Sequence, residues 1–303
     1  MKSLIHWFCF YTHTKHRLHV TPFLQKLYSW RKPIKPYAFI RVYNEIKTID
    51  TCFESIIDCV AGGVIGFNSC TDGTKEYILA FCQKYPQFTP VEYPYDVIPS
   101  GDFRYKEEQL DAKLCLDSYY NFVWEKLPKN EWIIKIDADH IFHKQYLQDL
   151  CRLPLRKKDC VILNRINLHC VDGKVFVHKQ LPFAEDGDSW IIYNQNIHFD
   201  FFRGWINNRF TAYEVLELPK KERKKIYGVL CNWHFPIVKN QRNQFNSDDW
   251  VELKSLDYQS NPYFQKQKMQ GRIPQDMIDP EKILAGFERF NHEARRILPN
   301  DQS

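Results

Sequence analysis

Between Tyr37 and Asp139 the chain alternates short apolar runs with longer segments that are apolar on one helical face, and this alternation restricts the folds open to it more than any other feature. Ala38-Phe39-Ile40-Arg41-Val42 predicts a strand, after which Ile46, Ile49, Phe53, Ile56, Ile57 and Val60 recur at helical spacing. Gly62-Gly63 predicts the end of that helix and Val64-Ile65-Gly66-Phe67 a second strand. Thr74 predicts an N-cap for a helix with Tyr77, Ile78, Phe81, Cys82 and Tyr85 on one face. Pro90-Val91-Glu92-Tyr93 predicts a weaker third strand. A polar loop, a long helix from Lys106 to Leu127 and the strand Trp132-Ile133-Ile134-Lys135-Ile136 complete the series. Strands and helices in this order imply an α/β chain with a Rossmann-like, mostly parallel, doubly wound sheet and helices on both faces. Ligands of such sheets lie beyond the carboxyl ends of the strands, where the strand order reverses.

Beyond Phe142 the pattern predicts a helix over Lys144 to Leu153 and strands at Val161 to Leu163, Lys174 to His178 and Trp190 to Tyr193. The last fifty residues, with Pro262, Pro274 and Pro280, predict an appendage with a helix over Pro280 to Leu298. The expected organisation is a basic, aromatic extension over residues 1–36, an α/β domain over 37–250 and a helical appendage over 251–303.

The ten cysteines stand singly, with no Cys-x-x-Cys pair, which argues against a zinc ribbon or a redox motif and fits a reducing cytosol. No run reaches the roughly 20 apolar residues a bilayer-spanning helix needs, and no signal peptide is expected. The net charge of +5 is uneven: eight cations, from Lys2 to Arg41, precede the first acid, Glu45, and are interleaved with Trp7, Phe8, Phe10, Tyr11, Phe23, Tyr28 and Trp30. That mixture suits the face of an anionic membrane, or an extension packed on the domain with solvated charges. No nucleic-acid motif accompanies it. Lys220-Lys221-Glu222-Arg223-Lys224-Lys225 predicts a solvated loop or helix face.

The polar residues that matter cluster at predicted strand ends. Asp137 and Asp139, one residue apart, can meet one hard divalent cation such as Mg²⁺ or Mn²⁺, or form an acidic turn. Asn44 and Glu45 follow the first strand and Asp72 the second, so three polar positions converge on one rim.

Three ordered segments, Phe39-Ile40-Arg41-Val42-Tyr43-Asn44-Glu45, Asn68-Ser69-Cys70-Thr71-Asp72-Gly73-Thr74 and Ile134-Lys135-Ile136-Asp137-Ala138-Asp139, resemble a nucleotide-sugar-dependent glycosyltransferase of the GT-A fold. Over roughly residues 36–195 the chain is similar to the bacterial lipooligosaccharide β-1,4-N-acetylgalactosaminyltransferases, with Ala138 in place of the valine expected between the two aspartates. The resemblance implies an inverting transferase that uses Mn²⁺ (or Mg²⁺), a UDP-sugar donor and a glycan acceptor at the cytosolic membrane face. Galactosyl or N-acetylglucosaminyl transfer, or a non-catalytic module keeping the fold, are the alternatives. It further implies Asp139 and Asp137 as metal ligands, with His234 of Cys231-Asn232-Trp233-His234-Phe235 as a distant third and His140 as its competitor. Arg41, Asn44, Glu45, Asp72 and Asp137 would contact the donor. In Glu185-Asp186-Gly187-Asp188 the implied general base is Asp188, with Glu185 and Asp186 behind it.

Overall fold

Alternate residues of the central strands go to two separate cores, one on each face of a mixed sheet. The computed structural model describes residues 17–106, 109–185, 188–195, 197–206, 209–217, 224–238, 247–257, 269 and 271–290. In chain order its elements are β1 (Arg17–His19), α1 (Pro22–Lys26), β2 (Tyr37–Val42), α2 (Ile49–Ile56), β3 (Gly62–Phe67), α3 (Thr74–Lys84), β4 (Phe88–Glu92), α4 (Leu116–Trp124), β5 (Trp132–Asp137), β6 (His140–Phe142) and α5 (Lys144–Cys151). They continue with β7 (Asp159–Val171), β8 (Lys174–His178), β9 (Phe183–Ala184), β10 (Trp190–Tyr193), β11 (His198–Ile206), β12 (Arg209–Glu217), β13 (Lys224–His234), β14 (Trp250–Glu252) and α6 (Pro280–Phe290).

The sheet order is β1-β13-β7-β10-β5-β2-β3-β4. Every neighbouring pair along it is parallel except those made by β10, which runs against both β5 and β7. The α/β class and the mostly parallel sheet expected from the sequence are therefore present. In the run β4-β3-β2-β5 the strand order reverses between β2 and β5, which defines the switch point.

The period of two is visible strand by strand. Ala38, Ile40 and Val42, with Ile65, Phe67, Ile134 and Ile136, join the core covered by α2, α3 and α5. Phe39, Val64 and Ile133 face the other way, into the core covered by α4 and by Phe199 of β11. There Phe39 meets Trp124 edge-on with centroids 5.2 Å apart, a pairing worth about 0.5–1.5 kcal/mol beyond its buried area. Helix α4 lies close to the sheet because Gly66 of β3 has no side chain. A Cβ there would stand 2.3 Å from Val123 Cγ2. A third core forms where Ile166 and Leu168 of β7 and Val175 and Val177 of β8 meet Met277 and Ile283 of the C-terminal segment.

Several local expectations are corrected. The helix expected from Lys106 to Leu127 is reduced to α4. Upstream of α4, the Asp111 side chain accepts from the Lys113 amide (3.0 Å) and Cys115 is extended, so local side-chain bonding competes with the helix. Gly62 and Gly63 begin β3 rather than end a helix. Thr74 is the first residue of α3, and its amide is capped by the Asp72 carboxylate (3.1 Å). Lys224 and Lys225 start β13, with Lys224 buried, instead of belonging to a solvated run; 220–223 lie outside the described residues. The helix expected to Leu298 is α6, described as far as Phe290. Of the basic extension, residues 1–16 lie outside the described residues, while β1 pairs with β13 as one edge of the sheet.

Candidate active site

Asp137 ends β5 and Arg41 is the penultimate residue of β2, the two strands that flank the switch point, and they are direct register partners. Their side chains meet, Arg41 Nη2 to Asp137 Oδ1, at 2.7 Å. The guanidinium lies over the Tyr120 ring of α4, 3.6 Å from its centroid, and its other terminal nitrogen is 4.0 Å from Glu214 Oε1 of β12. Lys135, two residues before Asp137 on the same face of β5, reaches Asp137 Oδ2 (3.3 Å) and hydrogen-bonds Asp188. Arg165 of β7 closes on the other Asp188 oxygen at 3.5 Å. Cations and carboxylates thus alternate across the point where the strand order reverses.

The electrostatic consequences follow from these contacts. Burial pushes the Asp137 carboxyl up, but Lys135 and then Arg41 overcome it and hold the group below the ordinary carboxylate range. Asp188 is likewise opposed by burial and held well below that range by Lys135 and Arg165. Glu214 goes the other way: burial raises it, and Arg41 and Lys135 offset that only in part.

A second constellation lies just past the end of β5. Asp139 and His140 are each 1% exposed. His140 is the register partner of His234 across β6 and β13, and the two rings are 4.5 Å apart. Asp139 Oδ2 is 3.2 Å from His234 Nε2, and Asp139 Oδ1 is 3.8 Å from His140 Nε2. One donor atom from each of the three lies within 4.8 Å of the others, and the His234 side chain, 13% exposed, is the accessible edge. Asn167 Oδ1 lies 2.7 Å from His234 Nδ1 and accepts its N–H, which points Nε2 at the Asp139 carboxylate. Burial, with His234 beside it, lowers the His140 pKa to about 3, so its ring is neutral. A ring nitrogen facing a buried carboxylate, beside a second, neutral imidazole, is a donor set able to hold a divalent cation.

The sequence-predicted residues therefore divide. Asp139, His234 and His140 come together, both histidines joining the cluster, whereas Asp137 faces Arg41 and Lys135. Asn44, in a left-handed conformation (φ 53°), bonds Thr71 through both side-chain atoms (2.8 and 3.3 Å). The Glu45 amide donates to Thr74 Oγ1 (2.9 Å) and the Ile46 amide to Asp72 Oδ2 (3.2 Å). Asn44, Glu45 and Asp72 thus stitch the loops after β2 and β3 into one rim. Asp188 reaches the switch point. Glu185 does not: it is buried against Arg272 (2.5 Å). Asp186 lies outside the described residues.

Lys135, Arg165, Glu214 and Asn167 were not singled out by the sequence. Lys135 carried a usable signal as a lone charge inside an otherwise apolar strand. The others reach the site only through pairing of distant strands.

No curated protein matches the chain. Among solved structures, glucosyl-3-phosphoglycerate synthase from Mycobacterium tuberculosis, in complex with Mn²⁺, uridine diphosphate and phosphoglyceric acid, is similar over 50% of each chain at 14% identity and a TM-score of 0.28. The chain therefore spans about half the length of that structure. The sequence model of the beta-1,4-N-acetylgalactosaminyltransferase (CgtA) family matches residues 22–290, a span that includes the rim, the switch point and the histidine cluster. The chain belongs to the beta-1,4-N-acetylgalactosaminyltransferase (CgtA) family, a family of glycosyltransferases.

Proposed function

We propose that the protein transfers N-acetylgalactosamine from UDP-GalNAc to a galactose-containing lipooligosaccharide or related glycan, forming a β-1,4 linkage with inversion. The observation that carries this is the Asp139-His140-His234 cluster beside the switch point of a chain in this family. Asp139, His140 and His234 would hold a divalent cation, which would supply Lewis-acid neutralisation of the charge on the departing diphosphate. Two imidazoles in the donor set favour Mn²⁺ over Mg²⁺. Asn167 fixes the His234 ring so that Nε2 serves as ligand. Arg41, seated between Asp137 and the Tyr120 ring, orients the donor at the rim formed by Asn44, Glu45 and Asp72. A carboxylate at the switch point takes the acceptor proton, and Asp188 is the candidate the sequence offers. UDP-GalNAc, UDP-galactose and UDP-N-acetylglucosamine differ by a hydroxyl orientation or an acetamido group, so a donor screen with a galactose-terminated acceptor is the test. We expect UDP-GalNAc to lead and the product to be β-linked by NMR. Preference for another donor corrects the sugar, and an α-linked product refutes inversion.

We further propose that the enzyme works on the cytosolic face of an anionic membrane. Between residues 17 and 36 the chain has Arg17, Lys26, Arg31, Lys32 and Lys35 and no acid. Phe23 of α1 is 72% exposed and Trp30, in the turn that follows, 69%, and the Trp30 indole N–H is satisfied by Leu27 O (3.0 Å). Aromatic rings beside a cationic strip suit the headgroup region. Replacing Phe23 and Trp30 together with serine is expected to weaken co-sedimentation with phosphatidylglycerol vesicles by roughly tenfold or more. Unchanged binding removes this surface from the proposal. Among the described residues no helix is long and apolar enough to cross a membrane.

A further inference from the structure

The β11–β12 ribbon stands apart from the main sheet yet delivers one carboxylate into the switch point. Side-chain contacts tie it to α4 and the sheet. Asn121 of α4 clamps Phe199 through both its amide and its carbonyl (2.8 Å each), and Phe199 stacks on Phe39 with centroids 5.5 Å apart. Phe201, the register partner of Glu214, packs at a tilt on Tyr105 with centroids 4.7 Å apart, and the Ala212 carbonyl is held by Ser100 Oγ (2.8 Å). Glu214 therefore arrives from an element that shares no strand with Asp137 or Asp139.

The carboxylates at the switch point are not equivalent. Asp137 is bonded to Arg41 and ion-paired with Lys135. Asp188 is bonded to Lys135 and ion-paired with Arg165. A carboxylate neutralised twice is a weak proton acceptor, because each cation stabilises the ionised form. Among the described residues Glu214 makes one ion pair, at 4.0 Å with Arg41, and its side chain is 17% exposed against 47% for Asp188, so it is both the less neutralised and the more enclosed carboxylate. Arg41 stands between Asp137 on one terminal nitrogen and Glu214 on the other. The charged groups around Glu214 are thus Arg41, Lys135 and Asp188, and its raised proton affinity agrees with a group that binds a proton during turnover.

We infer that Glu214 is the general base of the transfer, and that Asp188 is a positioning residue that holds Lys135 and Arg165 in place. This rests on the transferase reading above. As the sugar moves, the bond from its anomeric carbon to the β-phosphate oxygen breaks and its electron pair leaves with UDP. The acceptor oxygen forms the new bond from the opposite face. The acceptor's proton passes to a Glu214 carboxylate oxygen and then to solvent, so atoms and charge balance without a further reactant.

The test uses UDP release from UDP-GalNAc, first with water as acceptor and then with sodium azide, which needs no deprotonation. Glu214→Gln is expected to lower hydrolysis by a factor of about 10² to 10⁴ while the Kd for UDP-GalNAc stays within about threefold. Azide should restore UDP release in Glu214→Gln and give the β-glycosyl azide. In Asp188→Asn, where the loss is in orientation, azide should not restore it. Hydrolysis by Glu214→Gln at the wild-type rate overturns the assignment. So does azide rescue confined to Asp188→Asn, which returns the base to Asp188. Wild-type protein that releases no UDP from UDP-GalNAc, UDP-galactose or UDP-N-acetylglucosamine overturns the transferase reading, and this inference with it.

Discussion

Asp139→Ala is expected to lower sugar transfer by a factor of about 10² to 10³ or more while the thermal midpoint stays close to wild type. The carboxylate is 1% exposed and faces two imidazoles, so it adds little packing but supplies the anionic member of the donor set. Its loss leaves His140 and His234, whose nitrogens alone hold a divalent ion weakly, and Mn²⁺ binding by titration calorimetry should fall in parallel. EDTA should silence the wild-type enzyme to the same degree, and Mn²⁺ should rescue it but not the variant. Full activity in EDTA would remove the metal from the mechanism. A large drop in thermal midpoint would mean that Asp139 serves folding instead.

The second large effect concerns Arg272, 1% exposed, which donates to the Gly228 carbonyl (2.7 Å) and to Glu185 (2.5 Å). Arg272→Ala leaves the Glu185 carboxylate buried without its countercharge. Urea denaturation should show a loss of about 3–5 kcal/mol. Replacing both partners by apolar residues, Arg272→Met with Glu185→Leu, should recover most of that loss, because no charge then remains to be solvated. If Arg272→Ala unfolds at the wild-type urea concentration, the pair is not structural. The same contact ties the C-terminal segment to Glu185 in the turn before β10.

What the sequence revealed has a physical boundary. The β2 to β5 half of the sheet is legible because each strand feeds two cores, so apolar residues run nearly unbroken, and because each helix between them keeps an apolar face. The rim residues Asn44, Glu45 and Asp72 are legible for the same reason, since polar residues directly after such strands have few other places to go. The direction of β10 is not legible: Trp190 to Tyr193 is equally apolar whichever way it runs. Nor is the pairing of Lys135 with Asp188, 53 residues apart, or of Arg41 with Glu214, because each depends on which strand ends are brought together and leaves no local pattern. His234 was legible as a polar residue among aromatics, but only the register of β6 with β13 decides that His140 sits beside it and does not compete with it.

The reversal of β10 has a consequence for how such a protein can change. Parallel strands bring the chain to the rim only as they leave the sheet, whereas β10 begins there. The segment leading into it is pinned at both ends, by Ala184 pairing with Arg165 on β7 and by Ile191 pairing with Ile134 on β5. Between those anchors Asp188 bonds Lys135 of β5 and faces Arg165 of β7. A change in that short connection is therefore felt on both neighbouring strands at once.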